Sequence, residues 1–378
     1  MRWAKDSYRM GELFSGPGGI ALGADLASVN VPGIGRIEIT HEWANDIDSD
    51  TCETYRKNIL VEPKKVICGD VRKLDIESLD PIELFSFGFP CNDFSIVGER
   101  KGTGGIYGPL YSYGINVLRN HQPLCFLAEN VSGLRNANDG EDFKKVLTDM
   151  FDSGYDVFPH LYKFDEYGIP QSRHRLIIIG LRKDLGLRYR VPKPPRITKT
   201  CREAIEAPPI PKDAPNNDYT VQSEMVVERL SYIKPGENAF TANMPEHLQL
   251  NVVGAKLSQI YKRLDPDKPA YTITGSGGGG THAYHWSENR ALTNRERARL
   301  QTFPDDFVFC GKRESVRKQI GMAVPPAAAK IIFESVIKTL HGIEYEFTEA
   351  TISEMTHADH IRTDYDPCAA DNTAEDWL

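Results

Sequence analysis

The sequence predicts an α/β fold, a mainly parallel sheet covered by helices on both faces, with a smaller loop-rich second domain. Three observations carry this. The first ~180 residues alternate short apolar runs with helical patterns, the signature of strand–helix–strand units. The alternation stops near residue 190, where VPKPPR and then APPIPKDAP break any helix. The chain of 378 residues also exceeds one ordinary domain and suits two, at roughly 100–200 residues each.

The predicted strands are 9–14, 35–43, 65–68, 83–88, 124–128, 155–164 and 176–182. GRIEITHEW alternates with period two, and LIIIGL reads as a fully buried strand. Between the later strands, Phe143, Val146, Leu147, Met150 and Phe151 form one helical stripe over 141–152. From 190 to about 285 no periodicity is sustained, and the stretch ends in the glycine-rich TITGSGGGGTHAYH. Thr293 with Glu296 three residues on is a capping box that starts a helix over 293–301. A last helix begins at Pro325-Pro326, turns Ile332, Val336, Ile337 and Leu340 inward, and stops at Gly342. The tail beyond it is acidic and is expected to be poorly ordered.

Composition narrows the classes. Forty per cent apolar and 26% charged residues suit a globular chain with a sizeable core. No apolar run approaches the ~18 residues of a membrane span, and MRWAKDSYRMGEL lacks the apolar stretch of a secretory signal. Seven cysteines, an odd number without C-x-x-C, match neither a disulfide framework nor a zinc site, so a reduced, cytoplasmic protein without metal is expected. The net charge of −8 hides an uneven distribution: 344–378 holds ten acids and one base, while 190–320 holds twenty bases and fifteen acids. A +5 segment is compatible with nucleic acid and equally with an ordinary solvated surface.

In a doubly wound sheet, ligands bind beyond the carboxyl ends of the strands, and the chemistry-bearing residues fall there. The first strand runs into Phe14-Ser15-Gly16-Pro17-Gly18-Gly19, where glycines serve either a tight turn or a close backbone approach to a ligand. The second ends at Asp46, suited to ribose hydroxyls, and the third is followed by Asp70. Together they favour an adenosine-containing cofactor. Pro90-Cys91 follows the fourth strand, ahead of the glycine-rich GERKGTGGIYG, which suits a closing lid and makes Cys91 a candidate nucleophile rather than a small core residue. Glu129 emerges from the buried fifth strand in Glu129-Asn130-Val131; a structural ion pair is the alternative to catalysis. In Gln171-Ser172-Arg173-His174-Arg175, the two arginines share a face and suit an anion or a carbonyl.

Read in order, Phe-x-Gly-x-Gly-Gly, Pro-Cys-x-x-Phe-Ser, Glu-Asn-Val and Gln-x-Arg-x-Arg resemble the motifs of the DNA cytosine-5 methyltransferases of bacterial restriction-modification type. Arg290-x-Leu-Thr-x-Arg-Glu, Arg299-Leu-Gln-x-Phe-Pro and Gly321-Met-Ala-Val-Pro-Pro extend the resemblance over about 8–342, leaving out the tail. It implies a Rossmann-like, S-adenosylmethionine-dependent methyltransferase sheet. Residues 1–190 and 321–343 would form the catalytic and cofactor-binding domain, 191–285 the target-recognition domain, 286–320 a connecting segment and 344–378 an acidic tail.

By the same resemblance Phe14, Ser15, Gly16, Gly18 and Gly19 line the methionine side of the cofactor. Asp46 holds the ribose with Ile47 beside the adenine, and Asp70 and Val71 address the base. Gly88, Pro90, Leu110, Met322, Ala323 and Val324 complete that site. Cys91 would add to C6 of a flipped-out cytosine, Glu129 would share a proton with N3, and Arg175, helped by Arg173, would hold O2. Asn92, Ser95, Thr274, Ser276 and Gly278 would contact duplex DNA. A monomer is expected, with a cognate restriction endonuclease, if there is one, acting separately.

Three departures bear on cofactor and DNA contacts: Asn92 where Gln is common, Gly321-Met322-Ala323-Val324 for the frequent Gly-Asn-Ser-Val, and Ile47 for an aromatic residue. VNVPGIG looks like an insertion between the first two strands. Rival readings are a tRNA methyltransferase of the same family, a non-catalytic DNA-binding regulator on this scaffold, and a dinucleotide oxidoreductase. The first is disfavoured by the missing Cys-Phe-Thr. Intact Cys91, Glu129, Arg173 and Arg175 weigh against the second, and Pro-Cys against the third.

Overall fold

The structure is a computed structural model that describes residues 3–59, 62–90, 110–250, 258–275 and 280–357. Seven strands form the central sheet: β1 (Ser7–Leu13), β2 (Glu38–Asp46), β3 (Val66–Cys68), β4 (Leu84–Gly88), β5 (Cys125–Val131), β6 (Tyr155–Lys163) and β7 (His174–Arg182). Their order is β3-β2-β1-β4-β5-β7-β6, with the first five parallel and β7 antiparallel to both its neighbours. Each predicted strand is present within a few residues. The apparent insertion folds into a two-residue antiparallel pair, Asn30–Val31 with Gly35–Arg36.

Helices α1 (Gly19–Leu26), α2 (Ser49–Asn58), α3 (Tyr111–His121) and α4 (Glu141–Asp152) cover the sheet, and the predicted stripe of α4 is wholly buried. The first four connections reverse direction between β1 and β4. The carboxyl ends of these two strands therefore flank the switch point where such sheets bind ligands. Among the described residues of 190–285 the α-helices are the short α5 (Cys201–Glu206) and α6 (Glu224–Ser231), which pack in two small apolar clusters shared with residues 286–300. Helix α7 (Asn294–Leu300) starts on the expected Thr293/Glu296 capping box. Helices α8 (Arg313–Met322) and α9 (Pro326–Leu340) follow, and α9 returns to pack on α1. Residues 313–340 are apolar and long enough to cross a bilayer, but they form two helices broken at 323–325 and are mostly buried within the protein.

The acidic tail departs from expectation. Residues 344–357 are packed: Phe347–Thr348 pairs with Val191–Pro192, Met355 and Val157 exchange both backbone hydrogen bonds, and Ile352 and Met355 are buried. Net charge concealed two apolar anchors and an open strand edge that needed partners. Residues 358–378 lie outside the described residues.

Candidate active site

The loop after β1 is shaped by its backbone. Phe14, Gly16 and Gly18 all have left-handed φ (54°, 56° and 93°), a conformation that glycine adopts without steric cost. Gly19 opens α1 against the backbone of the 323–324 segment: a Cβ there would lie 2.3 Å from the Val324 carbonyl oxygen, so only glycine fits. The Asp46 carboxylate accepts the N–H groups of Gly16 (2.9 Å) and Asp48 (3.0 Å), tying the β1 loop to the end of β2. Burial raises its pKa, against the opposing effect of those donors. The neighbouring strand end is pinned by Asn45, whose side-chain amide donates to Ile67 and Gly69.

The other expected cofactor positions converge on this crevice. Lys318 of α8 reaches Asp48 (3.5 Å), which brings the Met322–Val324 segment to the end of β2. Ile47 and Met322 are exposed at 71% and 62%, large apolar surfaces left bare at the mouth. Asp70 caps the short helix after β3 and is clasped by Arg72, which with its backbone N–H holds the carboxyl down at about 2. Val71 is buried, and Phe14 and Leu110 pack against the same apolar cluster as it does. These residues fit an adenosine-bearing ligand: glycine-built space, an acid at the end of β2 and an uncovered apolar face.

On the other side of the switch point, Gly88 pairs with Glu129 across β4 and β5, and its missing side chain leaves room for the Glu129 carboxylate. Glu129 Oε1 lies 2.9 Å from Arg175 Nε, each side chain about 15% exposed. Burial raises the pKa of Glu129 although Arg175 and Arg173 pull it down. Arg175 also donates to the His174 carbonyl. A carboxyl whose pKa is raised beside a fixed guanidinium holds its proton to higher pH than an exposed one, which suits it to sharing a proton with a ligand. Asn130 donates from its side chain to the Phe89 carbonyl (3.1 Å), fixing the segment that carries Pro90 toward Cys91. Cys91, Asn92, Ser95 and the glycine-rich segment that follows lie outside the described residues.

Arg173 does not stand beside Arg175 facing a common ligand. It is fully buried, donating to Ile273 O (3.2 Å) and Gly321 O (2.9 Å), and burial pulls its pKa down. The period-two argument assumed one regular strand, but Gln171–Ser172 pairs with Ala270–Tyr271 instead of with the main sheet. Gln171 extends this seam, accepting Ile273 N–H and donating to Gln301, which in turn donates to Ile320 O. Thr274 sits in the same seam, since a Cβ on Gly321 would lie 2.2 Å from its carbonyl carbon. Ser276 and Gly278 lie outside the described residues.

Two groups escaped the sequence reading. Glu12 is fully buried under the β1 loop, accepting from Tyr55 Oη and Ser86 Oγ at 2.6 Å each, with its pKa raised by burial. An acid inside the apolar run of β1 was the signal for it. Gln301 gave no such signal, because its partners are distant in sequence.

Known proteins resemble this chain over most of its length. The family model described as C-5 cytosine-specific DNA methylase matches residues 8–338. The chain is 58% identical to the Type II methyltransferase M.BbvI of Brevibacillus brevis, covering 89% of this chain and 93% of that protein. It is 37% identical to M.NgoFVII of Neisseria gonorrhoeae, covering 86% and 85%. Among solved structures, a DNA modification methyltransferase encoded within an E. coli prophage superposes with a TM-score of 0.67 at 24% identity, covering 88% of this chain and 99% of that one. That likeness speaks to the fold.

Proposed function

This chain belongs to the C-5 cytosine-specific DNA methylase family, and on that premise we propose that it methylates a flipped-out cytosine through a covalent Cys91–C6 adduct. It is a DNA (cytosine-5-)-methyltransferase, and its relatives M.BbvI and M.NgoFVII are named Type II methyltransferases. The observation that carries the mechanism is the Glu129–Arg175 pair at the carboxyl end of β5, next to the crevice built by the β1 loop and Asp46.

C5 of cytosine is a poor nucleophile until C6 is attacked. The Cys91 thiolate forms the sulfur–C6 bond, pushing an electron pair toward C5 and N3. Glu129 holds a proton at N3 and offsets the charge that develops on the ring, and Arg175 orients O2. Arg173 acts behind them, bracing the Ile273 and Gly321 carbonyls. S-adenosylmethionine, when bound, supplies the methyl group on an electrophilic sulfonium; Phe14, Ser15, Gly16, Gly18 and Gly19 hold its methionine side and Asp46 its ribose. Ile47, Asp70, Val71, Gly88, Pro90, Leu110 and Met322–Val324 enclose the rest. Loss of the C5 proton then breaks the sulfur–C6 bond and frees Cys91.

A stacked base cannot reach such a site, so the cytosine leaves the duplex. Residues 191–285 read the sequence, with Asn92, Ser95, Thr274, Ser276 and Gly278 at the DNA. A partner endonuclease, if there is one, acts separately. The test is duplex DNA carrying 5-fluorocytosine, which has no C5 proton to lose. The wild type accumulates an adduct that survives denaturing electrophoresis, and Cys91→Ser gives none. A complex that denaturation dissolves, or an adduct that persists in the variant, would overturn the mechanism.

A further inference from the structure

A carboxylate taken out of water is costly unless both its oxygens find donors, and Glu12 lies in the middle of the sheet. On β1 it stands between Ala44 of β2 and Ser86 of β4, fully buried. Each oxygen accepts one hydroxyl, Oε2 from Tyr55 of α2 and Oε1 from Ser86, both at 2.6 Å. That is the length of a charge-assisted O–H···O⁻ bond. Two hydroxyl donors suit a group that only accepts, whereas an amide would turn a donor toward one of them. No step of the proposed chemistry uses Glu12. An apolar side chain would fill the same space without losing hydration, so packing alone does not account for an acid here.

Tyr55 connects Glu12 to the crevice. A Cβ on Gly18 would meet Tyr55 Cδ2 at 3.1 Å and Cε2 at 3.3 Å, with Ile59 Cγ1 at 2.8 Å. Gly18 is the N-cap of α1, held at φ 93° with no side-chain cap bond. A glycine moves easily among backbone conformations, so its shape depends on what it leans against. Ile59 offers the end of an aliphatic chain. The Tyr55 ring is fixed twice, by packing with Ala21, Ala44, Cys52 and Val66 and by its Oη on Glu12. The β1 loop thus has two holds: Asp46 takes the Gly16 N–H, and Glu12 works through Tyr55 on Gly18.

We propose that Glu12 is a positioning residue for S-adenosylmethionine, anchoring the Tyr55 ring against Gly18 so that the glycine loop is set before the cofactor arrives. The inference rests on the reading that Phe14–Gly19 hold the methionine side. Glu12 itself touches no ligand. A loop that the ligand must first order binds it more weakly, and once loaded it has the same shape. The effect therefore falls on cofactor binding and leaves methyl transfer alone.

The test uses the full chain. Calorimetry gives the affinities for S-adenosylmethionine and S-adenosylhomocysteine, and KM and kcat are measured on a duplex that the wild type methylates. Tyr55→Phe keeps the ring and removes its anchor: both affinities fall about tenfold, KM for the methyl donor rises alike, and kcat stays within about twofold. Glu12→Gln still accepts from Tyr55 and retains most of the affinity. Combining Glu12→Met, Tyr55→Phe and Ser86→Ala keeps the affinity loss while the melting temperature of the ligand-free protein holds or rises, because the buried charge has gone with its partners. Tyr55→Phe decides by itself if the triple variant does not fold. A structural role predicts a lower melting temperature with wild-type affinities, and that result would overturn the proposal. So would kcat falling as far as kcat/KM, which would put the group in the chemistry. A wild type that binds neither compound would overturn the cofactor reading, and the proposal with it.

Discussion

Replacing Gly321 by alanine should open the seam that joins the segment proposed to read DNA, at 273–275, to the segment proposed to line the cofactor, at 321–324. The added Cβ would lie 1.9 Å from Gly275 N and 2.2 Å from the Thr274 carbonyl carbon. Non-bonded carbon contacts settle near 3.5–4.0 Å, so the two backbones must part by about 1.5 Å. Arg173 spans that seam with bonds of 3.2 Å to Ile273 and 2.9 Å to Gly321, and it cannot keep both at the wider spacing. Losing one charge-assisted bond costs ~1.5–3 kcal/mol and the overpacking ~1–3 kcal/mol, while alanine's helix preference returns ~1 kcal/mol. The net expectation is a destabilisation of about 3 kcal/mol. Urea unfolding measures it directly, and cofactor and DNA affinities should fall together because Gly321 adjoins both segments. A control is Gly23→Ala, whose Cβ would meet Ala329 at 2.4 Å and strain only the packing of α1 on α9. A Gly321→Ala protein within ~0.5 kcal/mol of wild type would refute the reasoning, because the seam would then be shown to yield freely.

Three further outcomes follow from individual side chains. Glu129→Gln should lower methyl transfer by ~10²–10⁴-fold. Because the raised pKa of Glu129 keeps the active protonated form present at lower pH and removes it as pH rises, wild-type kcat/KM should fall on the alkaline side, and the variant should lose that limb. Asp46→Ala should weaken S-adenosylmethionine binding by ~1.5–3 kcal/mol, through lost ribose bonds and a loosened Gly16 loop; calorimetry showing wild-type affinity would move the ribose partner elsewhere. Burial works to raise the Glu83 pKa, but Arg9 and Lys5 outweigh it and hold it down at about 2. A depressed carboxylate stabilises the fold above its unfolded pKa, near 4.5, and loses that contribution as pH falls toward 2. Glu83→Gln should therefore cost ~1–2 kcal/mol at neutral pH, allowing for the half-exposed Lys5 and Arg9, and should flatten acid denaturation over that window.

The sheet was legible in the sequence because its strands are apolar runs punctuated by glycine and acids, and because Thr293 with Glu296 and Pro325-Pro326 mark helix starts outright. The crevice was legible for the same reason: Phe14–Gly19, Asp46, Asp70, Gly88 and Glu129 each follow or end a strand, where the topology brings them together. Arg173 was misjudged because its direction depends on Gln171–Ser172 leaving the main sheet to pair with residues 270–271, a partnership 99 residues distant. The Gln171–Gln301 bond was illegible on the same account. Local periodicity describes how an element faces the core, whereas these groups are defined by which distant backbone arrives beside them. The tail misled in the opposite way, since a count of charges averages over the few apolar residues that do the anchoring.

That anchored tail bears on how the protein behaves in a crowded solution. A sheet ends in two rows of unpaired backbone groups, each a template on which a foreign strand can grow. One end here is β3, only three residues long and too short to recruit a partner well. The other is the nine-residue β6, and residues 351–357 lie along it. Met355 takes both hydrogen bonds of Val157, Thr351 takes the Leu161 N–H, and His357 donates to Asp156. A chain cut after Ile343 would keep every residue of the crevice while baring that long edge and the sockets of Ile352 and Met355. Its loss would be felt first as self-association on concentration or warming, with the chemistry of each remaining folded molecule intact.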